Sequence, residues 1–267
     1  ILEHALPTGL GQQVLGGAQR LQAAFERGPL FRRPDRLTGD RLHRRQQVLH
    51  TVLQLGVEEL LAHPDLHVVH NCTPNHLHAE INRKILRAGK HVFSEKPLCM
   101  TPDEARELVA LAEQAGVVHG VSFVYRQFAM VRQAASMMRA GSLGRLFASH
   151  GSYLQDWMLL ETDYNWRVDS AQGGASRTVA DIGSHWCDTV QFMTGRRIVE
   201  VMADLSIVWP TRKAPVNGKA TFSAVHEAQA YETRPVDTED FGSVLLRFDD
   251  GSKGSLMVSQ VKIGRAS

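Results

Sequence analysis

The stretch HVFSEKPL, residues 91–98, puts one lysine at the end of an apolar strand and pins it with a proline. Val92 and Phe93 make a strand of His91 to Ser94, and the turn-forming Pro97 closes it. Ligands of open α/β sheets bind beyond the carboxyl ends of the strands, so Glu95 and Lys96 emerge where such ligands sit. By itself Glu-Lys-Pro is equally a solvated charge pair ahead of a turn. The segments on either side decide between the two.

On the upstream side, Val57 to Ala62 reads as a short helix and His63-Pro64-Asp65 as a turn. Leu66 to Cys72 reads as a buried strand ending in the loop Thr73-Pro74-Asn75. Leu77, Ile81 and Ile85 then recur on one helix face that Gly89 closes. Downstream, Thr101 is an N-cap with Pro102 at the first helical position, and Leu108, Leu111, Ala112 and Ala115 form a buried stripe before Gly116. Val117 to Val124 is a further strand, ending at Tyr125-Arg126. Strand, helix, strand, helix, strand at this spacing specifies a parallel sheet with right-handed crossovers.

After a helix over about 127–140 and a turn at Gly141 to Gly144, the pattern changes. Leu146 to Gln155, Val199 to Trp209, Gly242 to Phe248 and Lys253 to Ile263 are longer strands. Asp249-Asp250-Gly251 is a strong hairpin turn, so the last two strands pair antiparallel. Residues 210–239 read as a long excursion with little secondary structure.

The first 55 residues stand apart. They hold one Ile and three Val, eight Arg and no Lys, so a parallel core strand has almost nothing to be built from. Gly9 and Gly11 open a G-x-G, but Val14 stands where the phosphate-binding fingerprint needs a third glycine. The first lysine of the chain is Lys84. The simplest expectation is that this segment is misread from another reading frame, which would leave the chain weak in cofactor binding.

Composition narrows the function. With 267 residues, 43% hydrophobic and 22% charged, the chain has ordinary globular composition. No apolar run approaches the ~20 residues of a membrane span, and residues 1–10 lack a signal peptide's regions, so a cytoplasmic protein that does not associate with membranes is expected. Cys72, Cys99 and Cys187 are too scattered for a disulfide framework or a zinc-type spacing and read as free thiols. A net charge of +2, with the Arg-only head lacking Tyr and Trp for base stacking, argues against a nucleic-acid partner.

Two further stretches carry chemistry. In GGASRTVADIGSHWCD, residues 173–188, a helix starting near Gly183 puts His185 in its first turn and Asp181 just before it. A carboxylate and an imidazole four residues apart suit proton transfer. The competing reading is an N-cap aspartate with a satisfied buried histidine. Two ligands without a third argue against a metal. In NCTPNHLH, residues 71–78, Thr73 and Asn75 can hydrogen-bond a ribose or carboxamide, or Asn75 can simply cap the next helix.

The order and spacing of these motifs over residues 56–267 resemble the Gfo/Idh/MocA family of NAD(P)-dependent oxidoreductases. Thr73-Pro74-Asn75 with His78, Glu95-Lys96-Pro97, Tyr125-Arg126 and Asp181-x-x-x-His185 carry the resemblance. It implies an α/β chain with a Rossmann-type parallel sheet in residues 1–126, atypical over 1–55, followed by an α+β substrate domain in residues 127–267. That second domain has a mainly antiparallel open sheet, truncated at the C-terminus. The resemblance further implies Lys96, Asp181 and His185 as the catalytic set. It places Thr73, Asn75, His78, Glu95, Lys96, Pro97, Arg126, Trp166 and Arg167 on the side of an NAD or NADP cofactor, with a Lys96–Pro97 bond that is often cis.

The function implied is hydride transfer between the nicotinamide and a sugar or polyol hydroxyl, with His185 as base, Asp181 orienting it and Lys96 stabilising the alkoxide. The alternatives are a redox-neutral NAD-dependent glycosidase or epimerase, and a non-catalytic NAD- or sugar-binding protein. The remaining implication is a homo-oligomer formed through the second-domain sheet.

Overall fold

The computed structural model describes residues 56–216 and 230–262; the expectations for residues 1–55 lie outside the described residues. These residues form two compact units, with the division between Ser122 and Phe123.

In the first unit the order is α1 (Val57–Ala62), β1 (Val68–Asn71), α2 (Asn75–Arg87), β2 (His91–Ser94), α3 (Pro102–Ala115) and β3 (His119–Val121). The strands lie in the order β1-β2-β3, all parallel, with Val69 opposite Val92 and Phe93 opposite Gly120. Helix α2 turns Ala79, Ile85 and Leu86 inward, where they meet Val92, Leu108, Ala112 and Leu61 in one core. Full burial of such a side chain contributes about 1.5–3 kcal/mol, which makes this cluster the main reason the crossovers stay docked. Helix α3 starts at a complete capping box: Thr101 accepts from the Glu104 amide and the Glu104 carboxylate receives the Thr101 amide at 3.1 Å.

Three boundaries differ from the sequence reading. β1 is four residues long and only Asn71 in it is buried, so Leu66 to Cys72 is not a continuous buried strand. β3 stops at Val121, because residues 124–127 wind into a 3-10 turn. Ala115 faces solvent, and Val109 takes its expected place in the buried stripe.

The second unit continues with that turn (Val124–Gln127), α4 (Ala129–Arg139), β4 (Ala148–Leu154), a 3-10 turn (Trp166–Val168), the one-turn α5 (Ser170–Gly173), a π-helical turn (Val179–Gly183) and α6 (Ser184–Thr194). Then come β5 (Ile198–Ser206), β6 (Thr211–Pro215), β7 (Tyr231–Pro235), β8 (Phe241–Phe248) and β9 (Lys253–Ser259). A four-stranded sheet runs β4-β9-β8-β5. β8 and β9 pair antiparallel through the expected hairpin, with Gly251 at φ 84°, a left-handed position that suits glycine. β4 joins β9 in parallel, so the sheet is mixed. The chain leaving β4 enters no hairpin but crosses through residues 155–197 before β5, and that crossover fixes its direction.

The inner face of the sheet presents Val244, Leu246, Leu256 and Val258 to Ile182, Trp186 and Cys187. The alternate residues Leu245 and Met257 face outward and are exposed, as the two-residue period of a strand requires. Burial pushes the Cys187 thiol up to about 11, and the three cysteines are free. Gly151 on β4 leaves space for the indole of Trp186; a Cβ there would fall on its ring nitrogen and within 2.9 Å of Cε2. Gly151→Ala is therefore expected to lower stability by about 1–3 kcal/mol, read as a lower denaturation midpoint. An unchanged midpoint would mean the indole has room to shift.

Residues 210–239 hold more structure than expected. β6 and β7 pair antiparallel, from Thr211 opposite Pro235 to Pro215 opposite Tyr231; residues 217–229 lie outside the described residues. Arg212 on β6 is fully buried. Its guanidinium meets Asp240 at 2.6 Å and donates to the carbonyls of Met158, Leu160 and Asp163. No helix among the described residues is long and apolar enough to cross a membrane.

Candidate active site

In the first unit the functional side chains stand at the carboxyl ends of β1 and β2, as the parallel order dictates. The Lys96–Pro97 bond is cis, and Lys96 and Glu95 are half-buried. The Glu95 amide donates to the Asn71 carbonyl at 2.8 Å, and its carboxylate lies 3.7 Å from His70 Nε2.

Thr73 donates both its hydroxyl proton, at 2.8 Å, and its amide proton, at 3.2 Å, to Asn71 Oδ1. Pro74, not Asn75, caps α2, and no side chain bonds at the cap. The reading of Asn75 as a helix cap is thereby overturned.

His78 is committed to the protein's own backbone. Its side chain is 1% exposed, and its two ring nitrogens lie 2.5 Å from the Pro97 carbonyl and 2.6 Å from the Thr73 carbonyl. The imidazole is a strut that ties the two strand-end loops together. Around it Asn71 Nδ2 donates to Asn82 Oδ1 at 2.8 Å and to the His78 carbonyl, and Asn82 Nδ2 donates to Ser94 Oγ at 3.0 Å and to the Leu98 carbonyl. All of these side chains are buried, and burial without such partners would cost about 1–3 kcal/mol per group. The sequence reading missed Asn71, Asn82 and Ser94. Their available signal was polarity in a buried register, since His78 and Asn82 share the core-facing side of α2 with Ile85.

In the second unit Asp181 lies on the π-helical turn and His185 in the first turn of α6, which follows it without interruption. Asp181 is thus inside the helical run. No side chain caps either start, so the reading of Asp181 as an N-cap fails. Residues four apart in such a run share a face, and π turns are frequent at functional sites.

Aromatic rings hold the imidazole. Tyr125 stacks on His185 with centroids 4.5 Å apart, and Phe123 meets it edge-on at 5.8 Å. The Tyr125 and Tyr153 hydroxyls are 2.6 Å apart. Burial, the bond to Tyr125 and the nearby charge of Asp181 push the Tyr153 phenol up to about 12. It therefore stays protonated near neutral pH.

Asp181 Oδ2 accepts from Gln260 Nε2 at 2.9 Å, and Oδ1 lies 4.0 Å from Arg167 Nε. Arg167 stacks over Trp166 at 4.4 Å, and its amide donates to Asn165 Oδ1 at 2.8 Å. The Trp166-Arg167 pair is thus folded onto itself, with the arginine turned toward Asp181.

Arg126 is paired with α6. Its guanidinium forms a two-pronged bridge to Asp188 on α6, with Nε at 2.7 Å from Oδ2 and Nη2 on Oδ1, and lies 5.7 Å from the Phe192 ring centroid. Arg126 thereby clamps the 3-10 turn to α6. Burial raises the Asp188 carboxyl above its ordinary value, against the pull of Arg126.

Two family models match this chain. One, described as an oxidoreductase family with an NAD-binding Rossmann fold, covers residues 18–123; the other, the GFO/IDH/MocA C-terminal domain, covers residues 131–266.

The chain belongs to the Gfo/Idh/MocA oxidoreductase family.

The first match begins well before Gly56 and carries the family likeness into the segment that the sequence reading had set apart. Levoglucosan dehydrogenase of Pseudarthrobacter phenanthrenivorans is 34% identical over 203 residues, 76% of this chain and 51% of the relative. The 1,5-anhydro-D-fructose reductase of Ensifer adhaerens is 37% identical over 151 residues, 55% of this chain and 44% of the relative. A levoglucosan dehydrogenase solved with NADH and L-sorbose superposes with a TM-score of 0.69 at 31% identity, over 79% of this chain and 52% of that one. The chain spans about half the length of the curated relatives it matches.

Among the described residues, no group of three or more His, Cys, Asp or Glu side chains is arranged to hold a metal. Thr73, Asn75 and Glu95 stand at the carboxyl ends of β1 and β2, the position where parallel sheets receive nucleotides.

Proposed function

We propose that this protein is an NAD-dependent dehydrogenase that moves a hydride between the nicotinamide and a hydroxyl-bearing carbon of a sugar or polyol. The single observation that carries this reading is the Asp181–His185 pair on one helical run. The carboxylate is held between an amide and a guanidinium, and the imidazole is held between aromatic rings. A carboxylate and an imidazole on one helical run, each held by its own neighbours, suit oxidation of an alcohol, because the hydroxyl proton must leave with the hydride.

In this reading His185 takes the hydroxyl proton and Asp181 orients it and steadies its cation. Lys96, delivered by β2, stabilises the developing alkoxide through its ammonium group. Thr73, Asn75 and Glu95 hold the ribose of NAD, which when bound supplies the hydride acceptor. Trp166 and Arg167 border the acid–base pair. Lys96, Asp181 and His185 together separate this function from simple ligand binding, which has no use for proton transfer. We further infer that the outward sheet face, with Met202, Leu245 and Met257 exposed, is where two copies associate, which sedimentation would read directly.

The test is to incubate the intact protein with NAD and a panel of sugars that includes levoglucosan, and to follow NADH absorbance. Net NADH is expected; altered sugar with no NADH would mean redox-neutral cycling. Lys96→Ala should then lower turnover roughly a hundredfold or more, the scale of losing one transition-state stabilising group, while the Kd for NADH stays close to that of the parent. Equal turnover in the variant would remove Lys96 from the mechanism.

A further inference from the structure

Gln260 lies just beyond β9, 79 positions from Asp181, and is 0% exposed. Its main chain is held at both ends: its amide donates to the Asp240 carbonyl at 3.1 Å, and its carbonyl accepts from the Met158 amide at 3.1 Å. Its side chain runs between two partners. Nε2 donates to Asp181 Oδ2 at 2.9 Å, and Oε1 receives the Thr178 hydroxyl at 3.3 Å. That hydroxyl's single proton is shared, its shorter contact being with the Glu239 carbonyl at 2.8 Å, and Thr178 is 0% exposed.

Chemistry fixes which way the amide points. Turned over, it would set Oε1 against a carboxylate oxygen, two acceptors facing each other with no proton between them. The Asp181 carboxylate therefore selects the orientation in which Gln260 presents its NH₂ to it, and the share of the Thr178 proton that reaches Oε1 supports that orientation.

The support behind it is rigid. Thr178 leads into the π-helical turn that carries Asp181, and the Glu239–Asp240 segment is anchored by Arg177 and Arg212, both buried. The Glu239 carboxylate also accepts from the backbone amides of Arg177 and Val179, the latter at 2.9 Å. Every polar atom of the Gln260 side chain is thus spent on Asp181 or on the residue that aims it. Nothing in this arrangement serves packing alone, which a leucine or methionine would supply without the buried polar atoms.

We propose that Gln260, aimed by Thr178, is the positioning residue of Asp181: its amide fixes the carboxylate rotamer that in turn orients His185. The proposal rests on the reading of Asp181 as part of the acid–base pair. It adds an element to the site that no local motif contains, contributed by the segment that follows β9.

The experiment uses the intact protein and the sugar that gives the highest turnover in the panel above. Gln260→Met keeps the length and removes the donor. It should lower kcat roughly tenfold, the scale of one hydrogen bond to a charged group, with KM changed by less than about twofold. In an Asp181→Asn background the same substitution should cost nothing further, because its effect passes through that carboxylate.

Full turnover in Gln260→Met would overturn the proposal, as would an equal loss in both backgrounds. If Gln260→Met does not fold, Thr178→Val removes the aiming hydroxyl. It should give a smaller kcat loss that again vanishes beside Asp181→Asn, and parental turnover there would overturn the proposal equally. Parental turnover in Asp181→Asn alone would instead sink the acid–base reading, so the two failures are told apart.

Discussion

His185→Ala is expected to lower turnover by roughly 10² to 10⁴, the range over which a positioned general base accelerates proton transfer. The ring has no other evident task of that size. It sits at the start of α6 between Tyr125 and Phe123, and truncating it leaves α6 anchored by Val190 in the core and by the Asp188 bridge to Arg126. Stability should therefore fall much less than activity. The loss should also shrink as pH rises, because hydroxide then competes as the base. Steady-state rates of parent and variant from neutral to alkaline pH are the measurement. A ratio that stays flat across that range would show that His185 is only a packed histidine.

Asp240→Ala is expected to cost about 3–5 kcal/mol of folding stability, the usual result of removing one partner from a buried ion pair. Asp240 is fully buried between two buried arginines. Arg177 Nη2 and Arg212 Nη2 both meet Oδ1, while Oδ2 accepts from the amides of Val208 and Trp209 at 2.8 and 3.0 Å. Without the carboxylate two guanidinium charges remain in the interior and two amides lose their acceptor. Against the ~5–15 kcal/mol by which a domain is stable, that loss should be plain in a denaturant midpoint. A shift below about 1 kcal/mol would show that water enters and replaces the anion.

The pH dependence has a definite sign. Burial alone would raise the Asp240 carboxyl, but Arg177, the Trp209 amide and Arg212 hold it below its ordinary value. A carboxyl depressed in the folded state contributes stability that is present above its unfolded pKa of about 3.9 and is lost as pH falls through the folded one. Parent and variant should therefore converge in stability under acid, below about pH 4. Parallel stability curves through that range would contradict the assignment.

Elements with a strong local signature were legible in the chain. The 3.6-residue apolar stripe and Gly89 marked α2, Thr101-Pro102 marked the start of α3, and Asp249-Asp250-Gly251 marked the β8–β9 hairpin; all three appear where expected. So did β2 over its full length, with Lys96 and Glu95 just past its end. These features depend on neighbours within one turn or one strand, which a sequence displays directly.

The β6–β7 hairpin was not legible, because its strands TRKAP and YETRP are charged, proline-containing and without apolar alternation. Arg212 is buried there by an ion pair with Asp240, 28 positions away, not by hydrophobicity.

The same contrast runs through the candidate site. By itself the sequence determined which residue types stand at the strand ends and on the helix, because Glu95-Lys96-Pro97 and Asp181-x-x-x-His185 are each contained in a single local segment. Only the tertiary structure decided what those side chains are committed to. It turned His78 into a strut between two backbone carbonyls, gave Arg126 to Asp188, and brought Gln260 to Asp181 across 79 positions. The physical reason is that a buried polar group takes whichever partner the fold brings within about 3 Å, and pairing between distant segments leaves no periodic trace in the order of residues.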